Sequence, residues 1–112
     1  MEINVYSQYF KAQGTFSGVE HRGALVLLIS DSEAGMISYK IAVSFFPHRD
    51  AEDFGISYDA YFEKEIYNAP GRRSKKREAA FMESLRDEID AIAAEHDASV
   101  DWKHPLNEPR LG

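Results

Sequence analysis

The densest group of side chains able to do chemistry is Gly71-Arg72-Arg73-Ser74-Lys75-Lys76-Arg77. Five of the thirteen basic residues fall within six positions, so the other eight stand against all nineteen acidic residues, a balance of −11. The cluster opens a segment of helical periodicity, and Ser74 has the side chain of an N-cap. A helix opening presents free N–H groups and the positive end of the peptide dipoles, so each cation there costs a few tenths of a kcal/mol. Backbone donors and side-chain cations together suit a phosphate or a carboxylate cluster. The candidate anion- or partner-binding residues are therefore Arg72, Arg73, Ser74, Lys75, Lys76 and Arg77. The competing reading is a solvated basic turn that pairs with Asp50, Glu52 and Asp53, or with the acidic face of a partner.

Other constellations are weaker. His48 with Asp50, Glu52 and Asp53 could form an oxygen-rich cation site or a His–carboxylate pair, but the EF-hand pattern is absent. The triplet His48-Arg49-Asp50 matches a protein-kinase catalytic loop by chance, because 112 residues cannot hold a kinase and no glycine-rich loop is present. His21, His96 and His104 lack paired ligand spacing. There is no Gly-x-Ser-x-Gly elbow, P-loop or dinucleotide fingerprint, and Glu83, Asp87 and Asp90 read as a solvated helix face. The residues therefore point to no catalytic set, no metal and no cofactor.

The elements that carry these residues follow from periodicity. Glu2 to Phe10 alternates Ile3, Val5 and Tyr9 against Asn4, Tyr6, Gln8 and Phe10, a strand. Residues 11–23, with Gly14, Gly18 and Gly23, read as a loop with a short strand near Phe16. Ala24 to Ile29 is apolar on both faces, a central strand. Asp31 to Gly35 is turn chemistry. From Met36 to Phe46, the residues Ile37, Tyr39, Ile41, Val43 and Phe45 share one face, and a hairpin with the preceding strand follows. A fourth strand runs from Ile56 to about Tyr67, with Lys64 breaking its inward set near the rim of the sheet. Phe81, Leu85, Ile89 and Ile92 then recur at helical intervals, ending near His96 to Ala98. The expected fold is α+β, an antiparallel meander of about four strands (β-β-β-β-α) packed on one long C-terminal amphipathic helix. Residues 1–112 form a single domain, of which 99–112 are a partly ordered tail pinned by Trp102.

With one helix, one sheet face lacks a cover, and Tyr6, Phe10, Leu25, Leu27, Phe46 and Tyr61 are the candidates to line it. Either the long first loop and the tail close that face, or a partner does, a second copy of the chain included.

Ser74-Lys75-Lys76, at the start of a final helix after strands, resembles the second half of a double-stranded RNA-binding domain. That resemblance implies phosphate contacts from Lys75 and Lys76. It covers residues 36 to 95 at most and stops short of membership. The chain opens with a strand where that family has a helix, and Arg77 and Glu78 intervene before Ala79.

Totals narrow the classes. Hydrophobic content of 44% and charged content of 29% are those of a globular chain. The absence of cysteine excludes disulfides and thiolate chemistry and fits the cytoplasm. The start lacks the regions of a secretion signal, and the longest apolar run, Ala24 to Ile29, is far short of the roughly 20 residues that span a bilayer. A net charge of −6 argues against diffuse nucleic-acid binding, though not against a local basic site. The sequence thus points to a small non-catalytic module that binds a macromolecule, a protein first, through a sheet face or edge and the basic cluster. The alternative is a nucleic-acid phosphate binder using Arg72 to Arg77, and a third reading is a small enzyme using His48 and Asp50.

Overall fold

In a computed structural model, described for residues 2–47 and 59–111, the strands form one antiparallel sheet. In chain order these are β1 (Glu2–Phe16), β2 (Val19–Glu33), β3 (Met36–Phe46), β4 (Ala60–Pro70), helix α1 (Lys75–Glu95), β5 (Ser99–Pro105) and β6 (Arg110–Leu111). The order across the sheet is β4-β3-β2-β1-β5, with β6 also pairing with β1. The α+β class and the helix after the meander are as expected. The strand count is corrected from about four to six, because residues 99–111 return to the free edge of β1.

The loop expected over 11–23 is also corrected. β1 and β2 are both 15 residues long and meet at the two-residue turn Ser17-Gly18. Both turn residues lie at positive φ, 52° and 77°, and Ala34-Gly35 repeats the arrangement at 53° and 80° between β2 and β3. Such left-handed pairs match the twist of a tight hairpin. The polar stretch from Asp31 to Glu33 belongs to β2, and only Ala34-Gly35 turns. Gly14 and Gly23 serve packing instead of turning. A Cβ on Gly14 would meet Ala98 Cβ at 2.9 Å, and one on Gly23 would run into the Phe46 ring.

The alternation in β3 is realised in full: Ile37, Tyr39, Ile41, Val43 and Phe45 are all buried and face the helix side. Residues paired across antiparallel strands share a face. The register Phe10↔Ala24↔Phe45 and Tyr6↔Leu28↔Ile41 therefore puts Phe10 and Tyr6 on the helix side, correcting their expected place on the open face. From α1, Leu85, Ile89 and Ala93 are buried against this layer, with Phe81, Met82 and Ile92 beside them. At 21 residues α1 spans about 31 Å, long enough to cross the sheet from β4 to β5. The fourth strand is described from Ala60, so Ile56 and Tyr58 lie outside the described residues. Lys64 does sit on an edge strand, where its Nζ donates to Glu88 Oε2 of α1 at 3.0 Å.

Trp102 pins β5. Its ring meets Phe10 edge-on at 4.9 Å, and its indole N–H donates to Asp90 Oδ1 at 2.9 Å. Between β5 and β6, the Leu106 amide donates to the Tyr9 carbonyl at 2.8 Å, and Asn107 Oδ1 accepts from the Tyr9 amide at 2.8 Å. The outer edge of β1 is thereby occupied along most of its length. No helix of the described residues is long and apolar enough to cross a membrane.

Candidate functional site

The basic cluster lies where β4 hands over to α1. Pro70 ends β4, Gly71 takes φ 136°, and its amide donates to the Gly35 carbonyl at 2.9 Å, tying the linker to the β2–β3 turn. Ser74 is the N-cap: its backbone is extended, and its Oγ accepts from the Arg77 amide at 3.3 Å. Lys75, Lys76 and Arg77 then form the first helical positions, so the cations lie at the helix opening and not in its middle.

The six candidates divide into two sets. Arg73 donates from Nη2 to Glu78 Oε1 at 2.7 Å and from Nε to Glu78 Oε2 at 3.2 Å. Glu78 Oε2 also accepts from the buried Tyr39 hydroxyl at 2.8 Å. Arg77 lies over the Tyr67 ring at 4.4 Å, a cation–π contact. Arg73, Ser74 and Arg77 are thus committed to the fold. Arg72, Lys75 and Lys76 are exposed and make no hydrogen bond or ion pair among the described residues. The expected acidic partners Asp50, Glu52 and Asp53 lie outside the described residues, as does His48.

The electrostatics agree with this division. The Arg73 guanidinium holds the Glu78 carboxyl below its ordinary range, against the opposing effect of burial. Hydrogen bonding to Glu78 in turn raises Arg73. Tyr39 is raised by burial first and by its bond to Glu78 second. Sequence reasoning missed Glu78, Tyr39 and Tyr67 as members of the cluster. The available signal was a lone acid in the first turn after three cations, which dipole and charge both favour.

The second feature is the sheet face that α1 leaves open. Leu25, Leu27, Phe46 and Tyr61 occupy it as expected, joined by Val5, Tyr9 and Ile29. Ile3 is 53% exposed and Tyr61 49%, whereas Phe46 is buried over the Gly23 site. The centre is an uncharged grid, Tyr9↔Leu25↔Ser44 above Ser7↔Leu27↔Ala42. Charge enters toward β4, where Lys40 pairs with Glu63 at 3.7 Å and Glu65 stands beside them. Asp31 and Glu33 add negative charge at the β2 end of the face.

Of the remaining histidines, two pack within the fold and one lies on the surface. His21 is buried at the edge of Phe16, His96 stacks on Phe62 at 4.0 Å, and His104 Nδ1 pairs with Asp101 Oδ2 at 2.6 Å on the surface. Among the described residues no group of three or more His, Cys, Asp or Glu side chains could hold a metal. Comparison of the chain with protein-family models, with curated proteins and with solved structures finds no match in any of the three.

Proposed function

We propose that the protein is a non-catalytic binding module whose main contact is the open sheet face, and whose ligand is a protein. The observation that carries this reading is the uncharged strip of half-buried Val5, Leu25, Leu27 and Ile29, flanked by exposed Ile3 and Tyr61, on a face that the only described helix does not cover. Four strands about 4.8 Å apart and some eight residues of length give a face of roughly 500 Å². That lies toward the low end of the area one partner contributes to a specific complex. The acids along β4 and the β2 end select a partner whose apolar strip is flanked by lysine or arginine. Arg72, Lys75 and Lys76 supply a separate anion contact at the helix opening.

The test compares retained proteins and light scattering for three chains: the wild type, Leu27→Asp, and Arg72→Glu/Lys75→Glu/Lys76→Glu. A partner with basic flanks that is lost with Leu27→Asp supports the face. Retention unchanged by Leu27→Asp removes it. A mass of two chains that collapses to one with Leu27→Asp assigns the face to a second copy instead.

The three unpaired cations at a helix opening favour a second reading, nucleic-acid binding. Three released counterions give a log–log salt slope of about −2.7 on duplex DNA, against about −4.5 had all five basic residues been available. No retention on duplex DNA at low salt eliminates this reading.

A further inference from the structure

One row of cross-strand partners crosses the middle of the open face: Glu63↔Ala42↔Leu27↔Ser7↔Arg110, from β4 through β3, β2 and β1 to β6. Paired residues share a face, so Arg110 stands on the open side, while Leu111, paired with Tyr6, belongs to the helix side. The row therefore carries an acid at one end, a base at the other and no charge between them. Arg110 is exposed and makes no hydrogen bond or ion pair among the described residues. Glu63 uses only Oε2, which accepts from the Tyr61 hydroxyl at 2.9 Å and lies 3.7 Å from Lys40 Nζ. Glu65, one row away on β4, is also exposed.

Such a row is complementary to its own reverse. When two copies of the face stack about 10 Å apart around a two-fold axis along β2, strands equally distant from β2 meet. β4 of one copy then lies over β6 of the other, and Glu63 faces Arg110 of the second copy, twice by symmetry. On the axis, Leu25, Leu27 and Ile29 meet their own copies, and the aliphatic stem of Lys40 covers Val5. An axis across the strands at Leu27 would set Glu63 against Glu63 and Arg110 against Arg110, so charge selects the first arrangement. The strands of the two sheets then run in the same direction, within the roughly 30° crossing of aligned sheets. Asp31 and Glu33 approach their own copies at one end of β2. That contact lies at the rim, where salt screens it and Lys40, one row from Asp31, offsets it.

We propose that the open face is covered by a second copy of the chain, in a symmetric face-to-face dimer with a Glu63–Arg110 pair on each flank. The proposal rests on the reading of this face as the main contact and names its occupant, since the chain itself offers an apolar strip with a basic flank. The strands β4, β3, β2, β1 and β6 together present roughly 600 Å² per copy. Two copies bury roughly 1,200 Å², the low end of specific interfaces. Burial of the strip drives association, and the flanking charges fix its direction.

The experiment follows the mass of the intact protein by analytical ultracentrifugation across micromolar concentrations. Wild type should show a concentration-dependent mass of two chains. Glu63→Arg and Arg110→Glu each place like charges on both flanks and should weaken association about tenfold. Both side chains are exposed, so Trp102 fluorescence should report an unchanged fold. An equal mixture of the two variants restores one native pair and one reversed pair, and should recover the affinity, as should the double variant Glu63→Arg/Arg110→Glu. A mass of one chain at every concentration overturns the proposal. A foreign protein whose retention is lost with Leu27→Asp would then leave the reading of the face standing, whereas retention indifferent to Leu27→Asp would remove both. A dimer indifferent to the two charge reversals, or one that the mixture fails to restore, also overturns the proposal.

Discussion

Glu78 ties the helix opening to the core, and removing its charge tests the reading of the cluster most directly. It accepts two hydrogen bonds from Arg73, at 2.7 and 3.2 Å, and one from buried Tyr39 at 2.8 Å. Glu78→Gln keeps the shape and an acceptor for Tyr39 but loses the ion pair and the favourable charge in the first turn. A partly exposed pair contributes about 0.2–1 kcal/mol, and the dipole term about 0.3–1 kcal/mol, so the expected loss is about 1 kcal/mol. Glu78→Ala also orphans the Tyr39 hydroxyl and should cost about 2–3 kcal/mol. Urea unfolding followed by Trp102 fluorescence measures both. The pH dependence has a fixed sign. Because the folded state lowers the Glu78 pKa, the unfolded chain binds more protons through that window, and stability rises with pH across it. The gap between wild type and Glu78→Gln should be full above the ordinary glutamate value of 4.5 and close as pH falls through the lower native value. A gap of equal size at pH 3 and pH 7, or strict additivity with Arg73→Gln, refutes the network. Glu78→Gln also frees Arg73, so on duplex DNA the salt slope of a nucleic-acid binder should steepen from about −2.7 to about −3.6.

Ile89 is fully buried under the sheet, and Ile89→Ala should cost about 2–5 kcal/mol in urea unfolding. Gly23→Ala drives a methyl into the Phe46 ring and should cost about 1–3 kcal/mol by the same measurement, with Phe46 displaced on the open face. Ser74→Ala removes the acceptor for the Arg77 amide and should cost about 1 kcal/mol, whereas Ser74→Asp should restore it.

Local chemistry alone was enough for the elements with strong period and clean ends. The five inward residues of β3, the helix with Ser74 as its cap, and the place of Lys64 at a rim are all legible, because side-chain spacing maps directly onto a face. The hairpin across 11–23 was not legible. Gly14 and Gly23 look like turn residues, yet they are small because Ala98 and the Phe46 ring occupy their Cβ space, a fact set by residues distant in the chain. Likewise, alternation in β1 defines two faces but not which one meets the helix, and only pairing with β2 and β3 put Phe10 and Tyr6 there. The short strands β5 and β6 exist because β1 offers unpaired backbone groups that residues 99–111 satisfy. The cluster shows the same split. Sequence located the cations at a helix mouth, and tertiary contact with Glu78 and Tyr67 decided which of them remain available, since neutralisation depends on distances that no spacing rule contains.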